Sequence, residues 1–233
     1  MNTKMLKSHE GINIMIAVTY QGYRFNADFA MGDRMKRGIY ESQEISLISK
    51  IPNLSKMSVL ELGGCLGVLA VIVNKKLDDP NKHIVIEANP KLINNLEHNR
   101  NINNAKFTIL NALISNNSND VFYSYDKVVA GSSHRMDDRE ENKTQHKVDV
   151  ITLPNLMKKF DIKFDVILID IEGGELQFLQ ELLCFNIFIK YIMVEIHEFI
   201  MYAGYEQECL DVLNKLGLKL IAKDGISFLF SRP

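Results

Sequence analysis

Apolar positions along the chain fall into two rhythms that alternate. Short continuous apolar runs lie at residues 59–62, 83–87, 107–110, 148–153, 164–170 and 191–195. Runs of this length predict strands buried on both faces of a parallel sheet. Between them, apolar residues recur at helical spacing. Residues 41–50 carry Ile45 and Ile48, with Ile51 and a closing Pro52, and residues 68–77 are apolar nearly all round. Asn89-Pro90 offers an N-cap and a first-turn proline for a helix burying Leu92, Ile93 and Leu96. Pro154 opens a short helix through Phe160, and a helix from about Gly174 is expected to bury Leu176, Leu179 and Leu183. A last helix at residues 206–216 sets Cys209, Val212, Leu213 and Leu216 on one face, with Gly217 where a left-handed C-cap belongs.

Other stretches break this rhythm. Residues 12–19 and 23–25 read as a hairpin around Gln21-Gly22, and the polar residues 27–38 as a surface turn or short helix. Residues 121–125 are a further strand candidate. Residues 126–147, with Gly131-Ser132-Ser133-His134 and the charged run 137–141, are too polar for core and too long for a simple connection, so a substrate lid is expected there. Asp224-Gly225 between two apolar runs predicts a terminal antiparallel hairpin. With no internal repeat and no Pro-, Gly- or Ser-rich linker, a single α/β domain is predicted.

Composition narrows the class. Of 233 residues, 46% are hydrophobic and 24% charged, as in an ordinary soluble domain. A net charge of −2 argues against a nucleic-acid groove. Cys65, Cys184 and Cys209 are far apart and form no CxxC, which indicates neither zinc nor disulfides and suits a reducing, cytoplasmic compartment. No apolar run reaches the roughly 18 residues of a membrane helix. Lys4, Lys7 and His9 before the apolar residues 14–18 superficially resemble a signal peptide. Asn13, the alternation and the lack of a small-residue cleavage site favour a strand.

The chemistry centres on Val59-Leu60-Glu61-Leu62-Gly63-Gly64-Cys65-Leu66-Gly67, a strand breaking into a glycine-rich turn. Such turns let a nucleoside ligand lie against the main chain. Glu87, ending the next strand, is placed to accept hydrogen bonds from both ribose hydroxyls. A dinucleotide fingerprint needs a glycine where Cys65 stands, and no Gly-Lys-Ser/Thr is present for a triphosphate. Glu61, just ahead of the glycines, would repel a pyrophosphate but suits the ammonium and sulfonium of S-adenosylmethionine.

A second constellation is Asp170-Ile171-Glu172-Gly173-Gly174-Glu175, with Glu195-Ile196-His197-Glu198 after the next strand. Ligands of open α/β sheets bind beyond the carboxyl ends of the strands, where these groups gather. Asp170, Glu172 and His197 are the catalytic candidates, whereas Glu175 reads equally well as a solvated first-turn residue favoured by the helix dipole. His134 is a weaker candidate. Asp170, Glu172, Glu195 and His197 form a donor set for Mg²⁺ or Mn²⁺, but no metal is expected.

Gly38-Ile39-Tyr40-Glu41, the turn from Glu61 to Gly67, Ile86-Glu87-Ala88-Asn89-Pro90, Asn111-Ala112-Leu113, Ile169-Asp170-Ile171-Glu172-Gly173-Gly174-Glu175-Leu176 and Val194-Glu195-Ile196-His197 follow one another in the order found in FkbM-type methyltransferases. The chain resembles that family from about Gly38 to its end. The resemblance implies a class I methyltransferase (Rossmann-like) fold, with a mostly parallel seven-stranded sheet whose last strand is antiparallel, and O-methylation of sugar or natural-product hydroxyls. Two departures stand out. The acid heading the turn is Glu61 rather than Asp, and the usual Gly-Ala-Asn-x-Gly reads Gly63-Gly64-Cys65-Leu66-Gly67.

The expected site follows. Tyr40 and Glu41 close over the methionine end of S-adenosylmethionine, and Glu61 with the backbone of Gly63, in the turn closed by Gly67, holds its amino group. Glu87 and Ala88 take the ribose, Asn111 and Ala112 flank the adenine, and Asp170 adjoins the cofactor. Asp170 or His197 serves as base, oriented by Glu172 or Glu195. The expected partner is a small-molecule or glycan acceptor, with neither nucleic acid nor membrane, and no aromatic platform or basic patch marks the acceptor. The sequence carries no sign of oligomeric state. N-methylation of an amine, a non-catalytic cofactor-binding module and, most weakly, a dehydrogenase are the competing readings.

Overall fold

The computed structural model describes residues 15–125, 128–132 and 143–233. The early part of the expected first strand and the signal-like segment therefore lie outside the described residues, as does His134. Strands β1 (Met15–Tyr20) and β2 (Tyr23–Asp28) form the expected hairpin. Gln21 and Gly22 both have positive φ, 50° and 84°, as a two-residue type I′ turn requires. The polar stretch after it is helix α1 (Phe29–Lys36), whose N-cap Asp28 accepts the Met31 N–H at 2.9 Å. Helix α2 (Ser42–Ile48) follows and buries Glu44, Leu47 and Ile48.

The core alternates β3 (Val59–Leu62), α3 (Val68–Asn74), β4 (His83–Glu87), α4 (Ile93–Ile102) and β5 (Thr108–Ile114). Helix α4 starts a turn later than Asn89-Pro90 suggests. Asn89 Oδ1 instead accepts the Lys91 N–H at 3.1 Å, closing a local turn before the helix. The strand candidate at 121–125 is β6 (Phe122–Tyr125), and the expected lid contributes β7 (Val128–Ser132) and β8 (Lys143–His146) to a small antiparallel sheet in the order β7-β6-β8.

The chain then returns through β9 (Asp149–Ile151), α5 (Leu153–Phe160), β10 (Val166–Ile169), α6 (Glu175–Cys184), β11 (Tyr191–Glu195), α7 (Tyr205–Lys215), β12 (Lys219–Asp224) and β13 (Ser227–Ser231). Helix α6 buries Phe178, Leu179 and Leu182, while Leu176 is half-buried and Leu183 exposed, so its inward stripe lies beside the expected one.

The main sheet has eight strands in the order β12-β13-β11-β10-β3-β4-β5-β9. The expected seven strands are present, with β13 antiparallel to both neighbours. The eighth is β9, three residues that pair in parallel with Ala112, Leu113 and Ile114 at the far edge.

Strand alternation sorts the core into layers. Leu60, Leu62, Ile84, Ile86, Ile167, Ile169, Ile192 and Val194 pack with residues of α5, α6 and α7. Val59, Val166, Leu168 and Met193 point the other way, against Leu47 and Ile48 of α2 and Leu69 and Val73 of α3. Glu61, Glu87, Asp170 and Glu195 share the parity of this second set, so a strand period of two brings acids from four neighbouring strands to one face.

Candidate active site

Register decides the depth of each acid. Leu62 pairs with Ile86 and Ile169, and Ile169 with Val194, so Glu87, Gly63, Asp170 and Glu195 form one row across the carboxyl ends of the strands. Glu61 lies one pleat deeper, opposite Val85 and Leu168.

The glycines of the turn are required from inside the protein. A Cβ on Gly63, at φ 88°, would stand 1.7 Å from the Asp170 carbonyl oxygen; one on Gly64 would meet Val85 at 2.4 Å. Gly67, at φ 77°, faces Leu96 at 2.5 Å. The fingerprint thus lets the ends of β3 and β10 touch and α4 close on the turn. The N–H groups of Gly63 and Gly64 both reach the Ile86 carbonyl, at 2.9 and 3.2 Å.

Glu87 ties this turn to the next. Its Oε2 accepts the Cys65 N–H and its Oε1 the Asn89 N–H, each at 2.7 Å. Cys65, with φ 44°, therefore takes part through its backbone, and its Sγ lies 3.8 Å from the Tyr40 hydroxyl. Each Glu87 oxygen keeps a second lone pair for a ligand. Asn111 Nδ2 donates to the carbonyls of Glu87 and Ala88 at 2.7 and 3.2 Å, fixing the loop where an adenosine is expected. Ala112 is 1% exposed in the core beside α5, so its side chain does not reach that loop.

Glu61 is buried with its Oε2 3.3 Å from His83 Nε2. Burial raises the Glu61 carboxyl to about 8 and lowers His83 to about 3. At neutral pH a neutral acid therefore faces a neutral imidazole, and Glu61 is not the fixed anion the sequence suggests. A carboxyl raised from 4.5 to about 8 contributes stability that is fully present below about 4.5 and lost as pH rises through about 8. The Glu61→Gln variant should therefore match the wild type near pH 5 and melt at a higher temperature near pH 9. Melting curves that stay parallel across that range would remove the assignment.

Tyr40 and Glu41 sit beside the turn. Tyr40 is buried, and Glu41 adopts φ 47° at the start of α2. Glu41 Oε2, Glu61 Oε2 and Asp170 Oδ1 are buried oxygens without a hydrogen-bond partner. Burial, then Glu61 and Glu44, raise the Glu41 carboxyl. Burial, then Glu195, raise that of Asp170, with Glu172 and Glu41 adding to it. A cation placed among them would relieve both the repulsion and the missing partners.

His197 is 2% exposed and stands among four carboxylates. Its Nδ1 is 2.8 Å from Glu175 Oε1, and its Nε2 lies 3.4 Å from Glu195, 3.6 Å from Asp170 and 3.8 Å from Glu172. Burial alone would lower its pKa, but the hydrogen bonds to Glu175 and Glu195 and the field of Asp170 raise it to about 12. An imidazolium held that firmly does not accept a proton at neutral pH, which argues against His197 as the base. Asp170, Glu172 and His197 offer ligand atoms within 4.8 Å of one another, a metal-like spacing. In this charge state the imidazolium itself is the cation they surround.

Glu175 is the residue the sequence undervalued. It is fully buried, and besides His197 it accepts the Gly173 N–H at 2.9 Å and the Tyr205 hydroxyl at 2.8 Å. Tyr205 in turn accepts the Leu176 N–H at 3.0 Å. Its place inside the Asp170 block was the signal; nothing local singled out Tyr205.

Among solved structures, the chain is similar to the precorrin-6y C5,15-methyltransferase of Geobacter metallireducens, with a TM-score of 0.51 and 10% identity over 83% of this chain and 89% of that one. It is also similar to Aeropyrum pernix fibrillarin with natively bound S-adenosyl-L-methionine, with a TM-score of 0.49 and 10% identity over 93% and 81%. At these identities the first likeness shows the fold alone. No curated protein sequence is similar enough to count as a match. The profile of the FkbM methyltransferase domain matches residues 64–220, most of the chain and all of the rim except Tyr40, Glu41, Glu61 and Gly63. The chain belongs to the FkbM methyltransferase family and is an S-adenosylmethionine-dependent methyltransferase.

Proposed function

We propose that this enzyme methylates a hydroxyl on a sugar, glycan or natural-product-like small molecule, with Asp170 as the general base. The observation that carries this reading is the Asp170 Oδ1, buried and without a hydrogen-bond partner at the end of β10. It lies beside an imidazolium that Glu175 locks in place. A hydroxyl is a poor nucleophile near neutral pH, and a carboxylate raised above its usual range is a stronger proton acceptor than a solvated one.

S-adenosylmethionine supplies a methyl carbon on a positively charged sulfur, which leaves as a neutral thioether. Glu87 would hold the ribose, Asn111 would fix the loop beside the adenine, and Tyr40 and Glu41 would cover the methionine end, with the unpartnered oxygens of Glu41 and Asp170 available to its positive charge. As the acceptor oxygen bonds to the methyl carbon, its proton passes to Asp170. The positive field of His197, 3.6 Å away, offsets part of the repulsion that Glu195 and Glu172 exert on that carboxylate. Holding oxygen and methyl carbon in line contributes on the order of 7–11 kcal/mol to such a displacement.

Loss of the base should lower turnover by about 10²–10⁴-fold in Asp170→Asn, with the methylated atom identified as oxygen in the wild-type product. His197→Gln should bind cofactor normally and lose less activity. Methylation at nitrogen, or turnover in Asp170→Asn equal to wild type, would sink the reading.

A further inference from the structure

The buried carboxyl of Glu44 serves neither the cofactor contacts nor the proton transfer, yet it touches the same rim. Glu44 lies in α2 and is 6% exposed. Its Oε1 accepts the hydroxyl of Ser227, which is fully buried in β13. Ser227 stands opposite Glu195 in the antiparallel β11–β13 pair, and Glu44 hydrogen-bonds Glu195 as well. Beside it on α2, the Gln43 amide covers the β12–β13 turn, where a Cβ on Gly225 would meet its Oε1 at 2.5 Å. The first turn of α2 is thus fastened to the terminal hairpin at two points.

The proton among these groups has one place to reside. Two carboxylates offer no donor to each other, so a hydrogen bond between Glu44 and Glu195 needs a proton on one of them. Ser227 has a single hydroxyl proton, and Glu44 already receives it. Glu195 faces the His197 imidazolium at 3.4 Å, whereas Glu44 is the more buried of the two acids, so the proton belongs to Glu44. Burial raises the Glu44 carboxyl above its ordinary range; the Ser227 hydroxyl pulls the other way, and Glu195 adds to the rise. Glu41, at the start of α2, is the other acid whose field meets Glu44. Glu195 is in turn the charged neighbour that most raises Asp170.

We propose that Glu44 is a positioning residue for methyl transfer: carrying a proton, it bridges Ser227 and Glu195 and holds the Glu195 carboxylate beside His197 and Asp170. Loss of that proton sets two buried carboxylates against each other and frees Glu195 from its place. The effect on turnover rests on Asp170 as the base, but the bridge itself does not.

Turnover measured against pH in Glu44→Gln, Glu44→Leu and Ser227→Ala tests this. Glutamine keeps both bonds without a proton to lose, since it accepts from Ser227 and donates to Glu195. Glu44→Gln should keep the wild-type kcat near neutrality and lose the alkaline fall that the wild type shows. Ser227→Ala removes the bond that draws the Glu44 carboxyl down, so its alkaline fall should move to higher pH. Glu44→Leu should lower kcat about tenfold, the loss of one hydrogen bond to a charged group, with KM and cofactor affinity little changed. Carboxyl NMR on protein with isotope-labelled glutamate reads the bridge without turnover. A resonance titrating above the usual glutamate range in the wild type should be missing from Glu44→Gln and titrate higher still in Ser227→Ala. A Glu44→Gln variant that keeps the wild-type alkaline fall, a Glu44→Leu variant with unchanged kcat, or a Glu44 carboxyl titrating in the ordinary range would overturn the inference. If the NMR titration follows this pattern while Asp170→Asn turns over like the wild type, the base assignment fails and the bridge stands.

Discussion

Glu87→Ala loses S-adenosylmethionine: in calorimetry the affinity should fall at least about 100-fold, the worth of two charge-assisted hydrogen bonds. The reasoning starts from the two turns that Glu87 joins. Its oxygens accept the Cys65 and Asn89 N–H groups at 2.7 Å each, so the side chain shapes the turn after β3 as well as the loop after β4. Alanine leaves both donors without their acceptor and removes the carboxylate from the row it shares with Gly63, Asp170 and Glu195. A purely structural loss would look similar with the intact cofactor, so the discriminating ligand is S-adenosylhomocysteine lacking both ribose hydroxyls. Wild type should bind this analogue poorly, and Glu87→Ala should bind it no worse than the hydroxylated form. If Glu87→Ala still prefers the hydroxylated ligand as strongly as wild type does, Glu87 is only a staple and the ribose assignment fails.

That outcome bears on how the site was written in the sequence. Strands β3, β4, β10 and β11 were legible because burial on both faces demands unbroken apolar runs, and an acid closing such a run stands out against them. Sequence order also placed Glu87, Asp170 and Glu195 at strand ends. What it could not convey was register. Glu61 belongs to the same series by position, yet one pleat of depth turns it toward His83 and makes it a neutral acid. The glycines were legible as necessary, but the reason they are necessary comes from neighbours distant in sequence: the Asp170 carbonyl, Val85 and Leu96. Three-residue β9 falls within the predicted run 148–153 and β6 within the candidate 121–125, whereas β7 and β8 arise by pairing from a segment whose polar composition reads as loop. The charge state of His197 was not legible, because it depends on Glu175, Glu195 and Asp170, which the fold brings around it.

Glu175 accordingly carries the largest expected effect on stability. Glu175→Ala removes the 2.8 Å partner of a nearly buried imidazolium and leaves the Gly173 N–H without its acceptor, while the Tyr205 hydroxyl keeps the Gly173 carbonyl at 2.9 Å. Breaking a buried pair from one side costs about 3–5 kcal/mol, which in a chain of this size lowers Tm by on the order of 10 °C. The loss should depend on pH in a defined direction. His197 is raised from 6.5 to about 12 in the folded protein, so its contribution is fully present below about pH 6.5 and is lost as pH rises through about 12. The gap in Tm between wild type and Glu175→Ala should therefore be widest at or below neutrality and shrink steadily toward pH 11. Glu175→Gln separates charge from shape: it keeps an acceptor in place and should recover part of the stability while showing the same flattened alkaline slope. Chemical-shift titration of His197 gives the independent reading, with an imidazolium persisting past pH 9 in wild type and titrating at lower pH in Glu175→Gln. A His197 that titrates near pH 6.5 in the folded wild type would restore it as a proton acceptor and take the base assignment away from Asp170.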